Sequence, residues 1–179
     1  MYIPSDIKEN WRWGNFAPHE VLSPHGLKML RRKNLKIQGF ALDVLQSFRT
    51  RIGMSVMVNH GRLTLRGWRS TVENKKARGV NDSPHVQGIA FDMNVYKMSL
   101  AQQAIATIRQ EGFNGIGIYP KKNFIHGDCR TILTPKLKVV WNGSNKMAAI
   151  LTEKHLSGSD AALLNFLKKS LLLPTNWTI

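Results

Sequence analysis

Two short segments contain histidine and aspartate residues at spacings that suit a metal ion. In the first segment, Ser83–Asp92 (SPHVQGIAFD), a histidine lies just before a predicted strand and an aspartate lies three residues into it. Because Gly88 permits a tight turn between them, the side chains of His85 and Asp92 can converge. An imidazole nitrogen and a carboxylate oxygen form a mixed donor set that zinc accepts.

The second segment is Asn123–Asp128 (NFIHGD). If it forms a strand, His126 and Asp128 lie on the same face, because side chains alternate along a strand. Pairing of this strand with the first would bring a second imidazole beside the first pair. Two histidines, one aspartate and an open position for water make a catalytic type of zinc site, whose bound water ionises near pH ~7. On spacing alone, a histidine near an aspartate is more often a hydrogen-bonded structural pair than a metal site. The same ligands could also hold another divalent ion.

The pattern Ser83-x-His85-x-x-Gly88-x-Ala90-x-Asp92 resembles, at all five fixed positions, the first zinc signature of the zinc D-Ala-D-Ala carboxypeptidases. That family includes phage L-alanyl-D-glutamate endolysins and vancomycin-resistance dipeptidases, and it shares its fold with the hedgehog signalling domain. Further motifs match in the same order: Asn15-Phe16, Gly67-Trp68-Arg69-Ser70 with Asn74, Gly115-x-Gly117-x-Tyr119-Pro120, and Phe124-Ile125-His126-x-Asp128-x-Arg130. The resemblance covers about residues 15 to 141.

The resemblance implies a role for each of these residues. It makes His85, Asp92 and His126 the ligands of a zinc cofactor. It places Arg69 in the pocket, where a guanidinium fork suits a substrate carboxylate or a developing oxyanion. It gives Ser83 a hydrogen bond within the site.

Two further residues are candidates with alternative roles. Trp68, beside Arg69, is expected either to line the substrate groove or to pack in the core. Many family members carry a carboxylate three residues before the last zinc histidine, or a histidine two residues before it, as the proton acceptor. Asn123 and Phe124 occupy these positions here, and neither accepts a proton near neutrality. Asp128 is the nearest remaining carboxylate, so it is the candidate base, unless its role is to orient a ligand.

The elements that must position these residues predict an α+β fold. Apolar periodicity predicts helices over residues 37–52, 71–77 and 99–111, and strands over 54–58, 89–95, 115–119, 123–129 and 139–141. We expect a small antiparallel sheet with flanking helices, as in the hedgehog domain and the D-Ala-D-Ala peptidases. Residues 145–173 have a helical pattern. The predicted organisation is a peptidase-like domain over 1–142 and a helical extension over 143–179, which could belong to the same domain.

Composition narrows the classes of function. The 179 residues carry a formal net charge of +15, with a sequence pI near 10.4, which attracts polyanions such as nucleic acid, anionic lipid or acidic cell-wall polymers. The single cysteine, Cys129, excludes an intramolecular disulfide framework. The apolar runs are far shorter than the roughly 20 residues of a membrane span. The N-terminus lacks a basic start followed by an apolar core, so no ordinary secretory signal is expected.

These observations lead to three hypotheses. The first is a zinc metallopeptidase that hydrolyses peptidoglycan stem-peptide bonds next to D-amino acids. The resemblance implies a phage lysin or virion-associated wall peptidase, made in the host cytoplasm and acting at the cell wall or carried in a particle, with the C-terminal helix as a possible contact to virion proteins. The second is a zinc-bearing structural, assembly or wall-binding module, which Asn123 and Phe124 favour. The third, nucleic-acid binding, rests on charge alone and leaves the zinc motif unexplained.

Overall fold

The computed structural model of the protein describes residues 11–31, 37–131 and 137–179. Its helices are α1 (Pro18–Val21), α2 (Pro24–Arg31), α3 (Gly39–Ile52), α4 (Thr71–Lys76), α5 (Leu100–Arg109), α6 (Glu153–Ser157) and α7 (Asp160–Leu171). Its strands are β1 (Val56–Met57), β2 (Ala90–Val95), β3 (Gly115–Tyr119), β4 (Phe124–Asp128), β5 (Lys138–Asn142) and β6 (Ala148–Leu151), and a 3₁₀ turn covers Pro120–Lys122. The predicted α+β class is confirmed.

The six strands form one sheet in the order β1-β2-β4-β3-β5-β6. All neighbouring strands are antiparallel except β3 and β5, which run parallel. The sheet is therefore mixed, whereas the sequence predicted an antiparallel one. The cause is that β2 and β3 already occupy both edges of β4. The chain leaves β4, reverses direction and pairs with the free edge of β3, which runs the same way.

The register of the sheet places the predicted metal ligands in one row. Asp92 of β2 pairs with His126 of β4, and His126 pairs with Gly117 of β3. The row continues to Trp141 of β5. Because directly opposed residues point to the same face, these side chains share one face of the sheet.

The opposite face of the sheet is covered by helices. Alternate residues of β2, among them Phe91 and Met93, cluster with the buried side chains of α3. Farther along the sheet, Ile116, Ile125 and Val140 cluster with α5 and α7. Each fully buried side chain of this size contributes about 1.5–3 kcal/mol. The hydrophobic core thus lies behind the sheet and makes it a rigid support for the row of polar side chains.

The C-terminal segment adds a strand and two helices to the same structure. The helix predicted from residue 145 is wrong over Ala148–Leu151, which forms β6 on the edge of β5. Leu163, Leu164, Leu167 and Leu171 of α7 are buried in the cluster that contains α5. In the part of the chain that the structure describes, no helix is long and apolar enough to cross a bilayer.

Gly67 lies at a close approach between two backbone segments. A Cβ atom at this position would lie 1.9 Å from the carbonyl oxygen of Val21. That oxygen accepts a hydrogen bond of 2.9 Å from the backbone N–H of Trp68, so neither segment can move away without breaking the bond. Only glycine fits, and this accounts for the first residue of the Gly67–Ser70 motif.

Gly67→Ala should lower the free energy of unfolding by about 2 kcal/mol or more, because overpacking a fixed backbone contact is costly. Gly14→Ala is the matched control, since nothing lies within 4 Å of its added Cβ. We expect that control to stay within about 0.5 kcal/mol of the wild type. Urea denaturation of both variants checks this, and equal midpoints for the two variants would contradict the account.

Candidate metal centre

Three ligand atoms converge at one point on the exposed face of the sheet. Nε2 of His85 lies 3.2 Å from Oδ1 of Asp92 and 3.2 Å from Nδ1 of His126. Nδ1 of His126 lies 2.8 Å from the same oxygen of Asp92. Asp92 and His126 come together through strand pairing, and His85 reaches them from the turn before β2. Among the described residues, this is the one group of three or more such ligands close enough to hold a metal ion.

Hydrogen bonds on the outer side of each imidazole fix which nitrogen faces the centre. Nδ1 of His85 lies 2.9 Å from the carbonyl oxygen of Gly67, so Nδ1 carries the proton and donates it. Nε2 of His126 lies 3.0 Å from Oδ2 of Asp128 and donates to it. In the neutral form of each ring, the nitrogen that faces the centre therefore presents a lone pair.

This donor set fits zinc. Two imidazole nitrogens and a carboxylate oxygen are ordinary zinc ligands, and a tetrahedral ion with bonds of about 2.0 Å separates its ligands by about 3.3 Å. The observed separations of 2.8–3.2 Å require only a slight opening. Three lone pairs this close repel each other unless a proton or a cation lies among them. The centre is thus built to hold positive charge, and three protein ligands leave a fourth position open.

The pKa shifts of the three ligands also indicate that the centre holds positive charge. Burial would lower the pKa of His126, but hydrogen bonds to Asp128 and Asp92, together with their charges, raise it to about 9. Burial lowers the pKa of His85, and Asp92 only partly offsets this, so His85 is neutral. Burial would raise the pKa of Asp92, but the two imidazoles keep it well below its usual range. A proton on His126 therefore takes the place of the cation at neutral pH.

Three consecutive backbone carbonyls position side chains or strands of the site. The carbonyl oxygen of Leu65 accepts a 2.8 Å bond from Nη1 of Arg69. The carbonyl of Arg66 accepts a 2.7 Å bond from the backbone N–H of Asp92, and the carbonyl of Gly67 holds His85. The segment 65–67 thus connects the arginine to two of the metal ligands, and sequence reasoning did not find it because backbone contacts have no residue signature.

Arg69 is 8 % exposed, and its guanidinium lies within electrostatic range of Asp92 and His85. Nε donates to Oδ1 of Asn74 at 3.0 Å, which explains the asparagine that follows the Gly-Trp-Arg-Ser motif. Burial lowers the pKa of Arg69, while the charge of Asp92 raises it. In the described part of the chain, Nη2 of Arg69 donates no hydrogen bond to the protein, so one end of the fork is available to a ligand.

Asp128 lies behind His126, on the side away from the centre. Its carboxylate is fully buried and accepts bonds from Nε2 of His126 and from three nitrogens of Arg130. Burial would raise the pKa of Asp128, but Arg130 and His126 lower it to about 2. The imidazole ring stands between this carboxylate and the point where the three ligands meet. The geometry suits the orienting role that the sequence left open, and it does not bring Asp128 to the open position.

Trp68 and Ser83 support the site from the protein interior. Trp68 is 5 % exposed and packs in the core cluster, where an added Cβ on Gly26 would lie 2.7 Å from its indole ring. Ser83 is buried, and its carbonyl accepts bonds from the backbone N–H groups of Val86 and Gln87, which form the turn that carries His85. The structure therefore places both residues where they shape the site from behind.

Asn123 and Phe124, at the usual base positions, have structural contacts. Asn123 adopts a left-handed conformation, with φ of 52°, and its carbonyl accepts a bond from Asn94. The ring of Phe124 stacks on Tyr119 with centroids 4.4 Å apart.

Trp141 is a further neighbour of the centre that the sequence did not single out. Its ring lies 5.4 Å from that of His126 and covers Gly117, where a Cβ would lie 2.8 Å from the indole. The alternating glycines of Gly115-x-Gly117 could have indicated such a neighbour in the sequence, because they leave room for large side chains on adjacent strands.

The fold and the site together bring two histidines and one aspartate close enough to hold a single metal ion, which is the ligand set of a candidate hydrolytic metal centre. The family model described as Peptidase M15 matches residues 20–128, which is more than half of the chain and includes all three ligands and Arg69. The chain belongs to this family, the zinc D-Ala-D-Ala carboxypeptidase family, and its members are zinc metallopeptidases. A search of curated proteins finds no match to the chain.

Zinc binding at pH 7 should release about one proton, because His126 must lose its proton to become a ligand. The folded pKa of His126 lies above neutrality, so the apparent zinc affinity should rise about tenfold per pH unit from about pH 6 to 7, where His126 is the main proton released. Calorimetry in two buffers with different ionisation enthalpies measures the proton count. Binding without proton release, or an affinity independent of pH, would contradict this assignment.

Proposed function

We propose that the protein is a zinc metallopeptidase that hydrolyses peptidoglycan stem peptides at bonds next to D-amino acids, as a carboxypeptidase or an endopeptidase. The observation that carries the proposal is the three-ligand centre, in which both imidazoles are oriented from behind and a fourth position is open. Membership of the M15 family supports the reaction class, and the resemblance of the zinc motif supports the substrate.

In the proposed reaction, the ligands, Arg69 and Asp128 have different roles. When bound by His85, Asp92 and His126, zinc supplies Lewis-acid chemistry that activates water and polarises the scissile carbonyl. Arg69 binds the substrate carboxylate or the developing oxyanion through the free end of its guanidinium. Asp128 keeps the Nε2 proton of His126 in place, so that Nδ1 remains the ligand atom.

The proton acceptor is not at the position that the family motif predicts. Asp128 is enclosed by Arg130 and His126, so we assign it a positioning role and not that of the base. Oδ2 of Asp92 is the carboxylate oxygen at the centre that accepts no hydrogen bond from the described residues. The two imidazoles hold the pKa of Asp92 well below its usual range, so we assign this carboxylate the role of a ligand and not that of the proton acceptor.

The net positive charge of the protein supports an anionic polymer as the place where the protein acts. A net charge of +15 favours accumulation at a bacterial envelope, whose polymers are acidic. A phage lysin or a virion-associated wall peptidase fits this proposal through the family resemblance. A virion contact through α7 would have to use its polar face, because its apolar face is occupied by the core.

The alternative is a zinc-binding structural or wall-binding module. It is favoured by Asn123 and Phe124, which occupy the usual base positions and accept no proton near neutrality. The two functions predict the same metal stoichiometry and differ in turnover.

The test is to incubate the zinc-loaded protein with defined peptidoglycan fragments and to identify the products by mass spectrometry. Cleavage should occur with the wild type and vanish with His85→Ala, which removes a ligand. His60→Ala is the matched control, because His60 is an exposed histidine outside the metal cluster, and it should remain active. No cleavage with one zinc bound per chain would contradict the enzyme and favour the module.

Asp128→Asn separates the two roles of that residue. If Asp128 orients His126, the variant should bind zinc about 10- to 100-fold more weakly and regain most of its activity at saturating zinc. If Asp128 is the base, activity should stay low at every zinc concentration. Activity titrated against free zinc distinguishes the two outcomes.

A further inference from the structure

Arg66 is a second arginine at the edge of the centre, three residues before Arg69. Its Nη1 donates to Oδ1 of Asn94 at 2.5 Å, and its guanidinium carbon lies 5.0 Å from the centroid of the Phe124 ring. These contacts hold the flat guanidinium over the same face of the sheet that carries the metal ligands. The side chain is partly buried, so it is positioned and not freely mobile.

The position of Arg66 relative to the metal follows from the sheet. Asn94 lies two residues beyond Asp92 on β2, and Phe124 lies two residues before His126 on β4. Both belong to the next row of side chains, about 7 Å from the ligand row. Burial lowers the pKa of Arg66, and the charge of Asp92 raises it, which places the guanidinium within electrostatic reach of the centre.

Within residues 11–31, 37–131 and 137–179, neither arginine has an anionic partner. Among the described residues, no carboxylate lies within 4.0 Å of the guanidinium of Arg66 or Arg69, although Asp43, Asp128 and Asp160 each pair with another arginine. Asp92, whose charge acts on both arginines, is engaged by the two imidazoles. Arg66 and Arg69 are both partly desolvated, and Asp92 is already bonded to the imidazoles. The positive charge of the two arginines is therefore left for a ligand to neutralise.

We propose that Arg66 binds a second carboxylate of the substrate, in addition to the one bound by Arg69. The preferred substrate is then a peptide with two free carboxylates near the scissile bond. This inference rests on the proposed function and adds a specificity-determining residue to it. Asn94 is a positioning residue, because it holds the guanidinium fork in place.

The test uses an N-acetylated stem pentapeptide of the lysine type, which has two free carboxylates: one on D-glutamate and one at the C-terminus. Each is amidated in turn, and binding to the metal-free protein is measured by calorimetry. The wild type should bind each amide about 10- to 100-fold more weakly than the parent peptide, because each amide loses a charge-assisted bond. Arg66→Gln should become indifferent to one of the two amidations and keep its response to the other.

Arg62→Gln is the matched control, because Arg62 is an exposed arginine four residues away, and it should respond as the wild type does. Arg66→Gln should remain folded and still bind one zinc per chain, which separates recognition from a structural role. If the wild type ignores amidation, or if Arg66→Gln responds to both amidations, the inference is wrong even where zinc-loaded protein cleaves stem peptides. Absence of cleavage contradicts the proposed function, so the two failures are distinct.

Discussion

The mutual repulsion of three lone pairs is the constraint on which the site depends. Nε2 of His85, Nδ1 of His126 and Oδ1 of Asp92 lie within 3.2 Å of one another. Such a group is stable only with positive charge inside it, and the proton on His126 or a bound cation provides that charge. The outer hydrogen bonds to Gly67 and Asp128 matter because they keep both rings from flipping, so that each ring presents the same nitrogen to the centre.

Several features of the fold serve this arrangement. The antiparallel register of β2 and β4 places Asp92 directly opposite His126. Glycines at positions 67, 115 and 117 allow backbones and large side chains to approach closely, so the site is supported by main chain as well as by side chains. Arg130 lies over Gly115, and through Asp128 it connects to the ring of His126.

The sequence predicted the ligand row because it depends on local rules. Alternation along β4 and the turn at Gly88 showed that His85, Asp92 and His126 could converge, and the resemblance to the zinc signature of the family identified them as ligands. Features that depend on the whole fold were missed. The parallel pairing of β3 with β5 depends on which sheet edges are free, and Ala148–Leu151 is a short apolar run whose periodicity does not distinguish helix from strand.

The role of an individual side chain was harder to predict from the sequence than the face of the sheet on which it lies. Alternation placed Asp128 on the face of His126, but it could not show which ring nitrogen the carboxylate contacts. Trp68 remained open between groove and core until its packing on Gly26 was seen. The position of the Arg66 guanidinium could not be predicted from the sequence. The direction of a long side chain depends on neighbours distant in sequence, here Asn94 and Phe124.

The X-ray absorption spectrum of the zinc-loaded protein tests the central claim most directly, because it reports the ligands of the ion without reference to any substrate. The account predicts four nitrogen or oxygen ligands at about 2.0 Å, two of them with the scattering pattern of imidazole. His126→Ala should remove one imidazole contribution. A sulfur ligand, fewer than two imidazoles, or a spectrum unchanged in that variant would contradict the account.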